Sequence, residues 1–348
     1  MQKTVKVDTS QGIYEVLIGQ ELKVGELLAN IHKACHVVVV SDDTVFNLYG
    51  DRTVKSLTEA GFKVDTFVFP HGEQSKNIHT VEDILEFSAD KHLTRTDLML
   101  ALGGGVVGDI TGFCAAIYAR GIDFVQVPTT LLAAVDSSVG GKTAVDLKGG
   151  KNLAGAFHQP IAVYLDVDTF KTLPESTFAE GMAETIKYGL IQDGALFDLF
   201  EGGDYSIVEI CQRCIQIKAD VVHVDEFDTG LRKILNFGHT PGHAIEKMSN
   251  FGITHGFAVA MGMMIMTQVS EKLGKIPQGS TDRVRKVLEA HGLPVSSEYT
   301  ADQMAEASLS DKKRTGGKLG LVLLDKIGNA YIEEIPVEEL AKYYSLGK

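Results

Sequence analysis

Residues 98–109 set the first constraint on how this chain can fold. Leu98-Met99-Leu100-Ala101-Leu102 is an unbroken apolar run of strand length, and it passes through Gly103-Gly104-Gly105 straight into Val106-Val107-Gly108-Asp109. A run without polar alternation suits a strand covered on both faces, the situation of a parallel sheet flanked by helices. The glycine turn opens the next helix. Bare backbone N–H groups there can approach a pyrophosphate, and the helix N-terminus adds partial positive charge. The pattern is not Gly-x-Gly-x-x-Gly near the N-terminus, so a plain tight turn from strand to helix remains the alternative.

The neighbouring segments repeat the strand–helix alternation. His36-Val37-Val38-Val39-Val40 is a second buried strand, ending in Ser41-Asp42-Asp43. A carboxylate there can bind a ribose hydroxyl or cap a helix, and Asp42 can do both. Val64–Val68, Phe124–Pro128 and Val163–Asp166 read as further strands, and 44–59 and 78–92 as helices. Val5–Val7 and Tyr14–Ile18 flank the turn residues Ser10-Gln11-Gly12 and read as a hairpin. Gly140-Gly141-Lys142-Thr143 is not a phosphate-binding P-loop, because Asp136 stands where the first glycine belongs. Lys142, Lys151 and Asn152 read instead as a cationic cluster in glycine-rich loops, suited to phosphate or carboxylate.

Past Leu173-Pro174 the pattern turns helical. Segments 180–191, 207–223, 240–248, 258–273, 281–291 and 301–309 read as helices, and Gly320–Leu324 with Ala330–Glu333 as a late hairpin. The chain therefore divides near Pro174 into an α/β domain, 1–174, and a mostly helical domain, 175–348. The second holds Glu184, Lys187, Arg232, Asn236, His239, His243 and His255. His239 and His243 share one helix face at i,i+4 spacing, and two imidazoles plus a carboxylate can bind a transition metal with positions left open. The spacing leaves two sets open, His239 with His243 or either of them with His255, and Glu184 is the best carboxylate. Lys187, one turn on, suggests a site that also handles an anion.

A net charge of -13 over 348 residues argues against nucleic acid, which needs a basic face. No apolar run is long enough to span a bilayer and the N-terminus lacks a signal-peptide core, so a cytoplasmic protein with no membrane partner is expected. Cys211 and Cys214 read as small apolar residues of a helix, since no second pair exists to complete a zinc site.

From end to end the chain resembles the 3-dehydroquinate synthase family of sugar-phosphate cyclases. The resemblance rests on Gly72-Glu73-Gln74-Ser75-Lys76, Gly103–Asp109, Tyr118-Ala119-Arg120-Gly121, Gln126–Lys142, Gly150-Lys151-Asn152, Ala183–Lys187, Gly230-Leu231-Arg232, Asn236–Glu246, His255-Gly256 and Asp311-Lys312-Lys313. It implies a Rossmann-like NAD-binding domain followed by a mostly α-helical metal-binding domain, a site in the cleft between them, and a homodimer. It implies an NAD- and Zn2+-dependent lyase, with Co2+ as a possible substitute, which takes 3-deoxy-D-arabino-heptulosonate 7-phosphate to 3-dehydroquinate and phosphate. That sequence oxidises a secondary alcohol, eliminates phosphate, returns the hydride and closes the ring by an aldol step. The metal ligands so implied are Glu184, His239 and His255. NAD would meet Asp42, Gly72, Glu73, Gln74, Ser75, Lys76, Gly105, Val106, Val107, Gly108, Asp109, Thr129, Thr130, Lys142 or Lys151, and Thr169, Phe170, Lys171 and Thr172. The substrate would meet Arg120, Asp136, Lys142, Asn152, Lys187, Lys218, Arg232, Asn236, His243 and one of Lys312 and Lys313. His243 would move protons, with Lys187, Arg232, Asn236 and Asp228 in the same machinery.

Two positions depart from the family pattern: His71 stands where many relatives carry an acid, and Asp228 where many carry Glu. The basic residues, Arg120 and Lys151 among them, are expected to converge on the anionic substrate. A metal-dependent polyol dehydrogenase, a cyclase for a different sugar phosphate and a nucleotide-binding module without chemistry are the rival readings.

Overall fold

The computed structural model describes residues 2–309 and 317–348. Contacts group the chain into two units, Met1–Leu173 with Lys218–Phe227, and Pro174–Ile217 with Asp228–Lys348. A single cut at Pro174 puts residues 218–227 in the second domain; by contacts they belong with the first.

The first unit opens with the hairpin β1 (Lys3–Thr9) and β2 (Gly12–Gly19), then α1 (Val24–Ala29) and β3 (His36–Asp42). A short α2 (Asp43–Val45) runs through a wide turn, Phe46–Gly50, into α3 (Asp51–Glu59), followed by β4 (Lys63–Phe69), α4 (Ile78–Asp90), β5 (Leu98–Gly103) and α5 (Gly105–Ile117). Then come β6 (Asp123–Pro128), the hairpin β7 (Lys142–Leu147) and β8 (Gly150–Phe157), and β9 (Ala162–Asp166). The main sheet has the order β1-β2-β9-β6-β5-β3-β4, parallel from β2 to β4. Its central strands β3, β5, β6 and β9 are buried on both faces, as their composition demands. Val38, Val40, Met99 and Ala101 pack with α4 and α5, while Val37, Val39, Leu98 and Leu100 pack with α1 and α3. Period-2 alternation thus sends successive valines into two separate cores.

Lys142, Lys151 and Asn152 do not lie in loops as the sequence suggested; they belong to the β7–β8 hairpin. Glycine density hid the alternation. Thr143 and Val145 are buried, and a Cβ on Gly112 of α5 would collide with the Thr143 methyl group, so α5 and the hairpin approach closely because Gly112 has no side chain.

The second unit comprises α6 (Glu175–Ile191), α7 (Gly194–Gly202), most of α8 (Ile207–Val224), α9 (His239–Met248), α10 (His255–Lys272), α11 (Ser280–Ala290), α12 (Ala301–Leu309), the hairpin β10 (Lys318–Lys326) and β11 (Asn329–Pro336), and α13 (Leu340–Leu346). Helix α10 is apolar on nearly every side, with Met261, Met263, Met264 and Met266 all buried. Such a helix belongs at the centre of a bundle. Among the described residues no helix is long and apolar enough to cross a membrane.

Candidate active site

In the first unit, β3 and β5 are neighbours whose connections leave in opposite directions, β4 lying beyond β3 and β6 beyond β5. Helix α3 covers one face of the sheet and α5 the other. Ligands of open parallel sheets bind at such a switch point, outside the carboxyl ends of the strands. Asp42 ends β3 there, and Gly103 to Gly105 end β5. Thr129 N–H donates to the Gly103 carbonyl at 2.9 Å, bringing Thr129 and Thr130 from β6 to the same place. Helix α5 has no side-chain cap, so the glycine turn offers its first amides to a ligand. The Thr129 hydroxyl is buried with no hydrogen-bond partner among the described residues, an orphaned donor beside an open helix N-terminus. This set fits a dinucleotide pyrophosphate. Asp42 caps α2, accepting from Val45 N–H at 2.8 Å, and burial pushes its carboxyl up more than that amide pulls it down.

The loop 72–76 is built for its place. Gly72 holds φ 104, which excludes residues with a Cβ. Asp146 N–H donates to the Lys76 carbonyl, 2.9 Å, and Asn152 N–H to Asp146 Oδ1, 2.7 Å, tying the loop to the β7–β8 hairpin. Lys76 Nζ lies 2.6 Å from Asp109 Oδ2, Lys151 Nζ lies 3.5 Å from Glu73 Oε1, and Lys218 Nζ lies 2.6 Å from Asp136 Oδ1. Burial works against the Lys76 charge, but Asp109 outweighs it and holds the ammonium above its ordinary range. Ser75 is buried, Val107 and Gly108 are buried in α5, and Lys142 is exposed. Thr169 and Phe170 are buried, with the Tyr49 hydroxyl donating to the Thr169 carbonyl and bonded to Thr172. Lys171 is exposed and paired with Asp168 at 2.6 Å. His71 pairs with Asp43 at 2.7 Å on the surface.

Arg120 stands apart from this set. Helix α5 carries the chain away from the glycine turn for 13 residues, about 20 Å, and Arg120 follows its far end. There Ile122 N–H bonds back to Ala115, and Asp123 pairs with Leu98, the first residue of β5. Arg120 is exposed, with φ 68. Lys151 sits beside Glu73 at the opposite end of the sheet, so the first unit does not bring Arg120 and Lys151 together.

In the second unit, Glu184 comes from the middle of α6, His239 opens α9 and His255 opens α10. Glycines set that spacing. Gly238 has φ 78, and a Cβ on Gly262 of α10 would run into the Gly238 carbonyl. A Cβ on Gly256 would lie 2.6 Å from Glu180 Cα, so α10 meets α6 just as closely. His239 Nε2 and His255 Nε2 each lie 3.5 Å from Glu184 Oε1, while Glu184 Oε2 is ion-paired with Lys187. The ligating atoms of Glu184, His239 and His255 fall within 4.8 Å of one another, a nitrogen–oxygen set that fits a divalent transition metal. Burial pushes His239 down to about 3, keeping the imidazole neutral as a ligand must be. His255 is opposite in the metal-free protein: burial lowers it, but Glu184 and Glu246 together raise it to about 10, so a metal bound there would displace the proton at Nε2.

His243 shares the α9 face with His239, ring centroids 5.4 Å apart, but its side chain is 61% exposed. His243, Glu246 and His255 form a second possible donor set that shares His255 with the first. Arg232 is buried and Asn236 exposed on the turn 231–236, and Asp228 is half-buried with φ 58. Lys312 and Lys313 lie outside the described residues. Sequence reasoning gave Glu246 no role, although His239, His243 and Glu246 follow the i, i+4, i+7 spacing of one helix face.

Comparison with known proteins accounts for both halves. The family model for the 3-dehydroquinate synthase N-terminal region matches residues 66–180, and that for the C-terminal region matches 181–314. The 3-dehydroquinate synthase of Enterococcus faecalis is 42% identical over 351 residues, covering 99% of this chain and 98% of the relative. That of Clostridium acetobutylicum is 41% identical over 351 residues, covering 98% and 99%. The solved 2-epi-5-epi-valiolone synthase of Streptomyces hygroscopicus subsp. jinggangensis, which has NAD+ and Zn2+ bound, superposes with TM-score 0.86 at 27% identity over 96% of each chain. With two family regions meeting at residues 180 and 181 and full-length relatives above 40% identity, this chain belongs to the 3-dehydroquinate synthase family.

Proposed function

We propose that the chain converts 3-deoxy-D-arabino-heptulosonate 7-phosphate to 3-dehydroquinate and phosphate, with NAD bound at the β3–β5 switch point and a divalent metal, Zn2+ or Co2+, at Glu184, His239 and His255. The observation that carries the reading is the pair of imidazoles turned on one buried carboxylate oxygen, in a chain that matches this family over its full length. When bound, NAD would take up and return a hydride, and the metal would polarise the oxygen at the reacting carbon. The residues of the chain supply the rest. Lys187 holds Glu184 in place through a pair closed to solvent. His243, exposed and 4.0 Å from Glu246, can carry a proton between substrate and solvent. Lys218, Arg232, Asn236 and Asn152 would hold the carboxylate and phosphate ends by charge-assisted and neutral hydrogen bonds. Asp136 keeps the Lys218 ammonium aimed.

The same reading takes the protein to be a cytoplasmic homodimer; light scattering on the purified chain tests the dimer, and cell fractionation the location. Function is tested by following phosphate release and NADH together. Substrate-dependent phosphate release without net NADH is expected. Stoichiometric NADH would instead support a polyol dehydrogenase.

A further inference from the structure

We infer that Glu246 is a positioning residue that fixes the tautomer and aim of His255. The inference rests on the metal site proposed above. Glu246 lies on α9 with His239 and His243 and is almost fully buried, its side chain 5% exposed. Its Oε2 is 3.1 Å from His255 Nδ1. The other ring nitrogen, Nε2, faces Glu184 Oε1. His239 is arranged in the same way by a different acceptor: its Nδ1 lies 3.2 Å from the Phe237 carbonyl and its Nε2 faces the same Glu184 oxygen. Both imidazoles therefore have an acceptor at Nδ1 and the common centre at Nε2. An acceptor at Nδ1 keeps the proton there and leaves the Nε2 lone pair free to ligate, and it stops the ring from turning.

His255 needs that hold more than His239 does. Its side chain is 34% exposed against 11% for His239, and it begins α10, where packing restrains the ring on fewer sides. Glu246 reaches it from the neighbouring helix, nine residues back in the chain. Because α9 and α10 meet through Gly238 and Gly262, the carboxylate arrives on a rigid support. Glu246 also lies 4.0 Å from His243 Nε2, so the alternative is that Glu246 itself ligates a metal with His243 and His255.

The test uses full-length protein stripped of metal and titrated with Co2+, read by its visible absorption and by chelator competition. Wild type must bind Co2+; if it does not, the metal site itself is wrong, independently of Glu246. Glu246→Ala should weaken Co2+ binding by about 10- to 100-fold with NAD affinity unchanged, the usual cost of losing a ligand's outer partner. Glu246→Gln, which still accepts from Nδ1–H, should recover most of that loss and keep the wild-type cobalt spectrum. A melting temperature for each variant separates folding from binding. Wild-type affinity in folded Glu246→Ala would overturn the inference, as would Gln behaving like Ala. Abolished binding in Glu246→Ala, Glu246→Gln and His243→Ala alike would make Glu246 a ligand rather than a support.

Discussion

Glu184 and Lys187, one helical turn apart on α6, form an ion pair with 0% and 1% of their side chains exposed. A cation this close to a proposed metal ligand balances its charge when the metal is absent. Breaking a buried pair by removing one partner costs about 3–5 kcal/mol, because the remaining charge stays buried. Lys187→Met should therefore lower the stability of metal-free protein by that order in urea melts. Added Co2+ should restore more of it than in wild type, since the metal supplies the missing positive charge. Equal effects of Co2+ on both proteins would count against Glu184 as a ligand.

Gly262→Ala tests the contact that sets His239. The added methyl would meet the Gly238 carbonyl, a backbone atom that can move only with α9. Overpacking of this kind costs about 1–3 kcal/mol. The variant should melt earlier and bind Co2+ more weakly, whereas Gly202→Ala, exposed on α7 with open space around it, should leave Co2+ affinity unchanged.

Gly105→Val tests the nucleotide half. A Cβ at Gly105 already comes within 3.1 Å of Ser137 Oγ, and a branched side chain there would fill the space over the first turn of α5. NAD affinity by calorimetry should fall at least about tenfold, as expected when a backbone approach to pyrophosphate is blocked. Co2+ affinity should not change. Unaltered NAD binding would remove the turn from the site.

Arg120→Ala should leave NAD affinity as it is, because the length of α5 separates it from the glycine turn. If Arg120 nevertheless holds substrate, turnover falls while NAD and Co2+ binding persist. Normal turnover would drop it from the substrate set.

The thiols give a pH-dependent check. Burial pushes Cys211 up to about 12 and Cys214 well above its usual range, and Cys35, half-buried, up to about 11. Burial also raises Cys114. The thiolate is the reactive form, so folded protein at pH 8 should react slowly with a disulfide reagent at every cysteine, and faster as pH rises. Denatured protein should titrate four thiols. A fast-reacting Cys211 or Cys214 in the folded state would contradict their burial as apolar residues of α8.

The parallel sheet could be read from the chain because its strands carry their burial in their composition: no alternating strand would read Val37-Val38-Val39-Val40. The glycine turn was equally plain. The β7–β8 hairpin was not, since Gly149 and Gly150 at its tip and Gly155 within it imitate a loop. Helix α7 was missed between Gly194 and Gly202, where glycine argues against a helix that Asp193 nonetheless caps. Spacing left the choice of ligands open between His243 and His255. Pairings such as Lys218 with Asp136, 82 residues apart, have no local signal at all.

The two histidines proposed as ligands each begin a helix, and the chain between them is one short helical hairpin, α9 leading into α10. Contacts so close in sequence form early, because little loop-closure entropy opposes them. The imidazole pair therefore exists as soon as this hairpin does, while Glu184 joins only when α6 docks. On that order a metal present during folding would meet the two nitrogens before the oxygen. Pulse-labelled hydrogen exchange with Co2+ present should accordingly protect α9 and α10 ahead of α6.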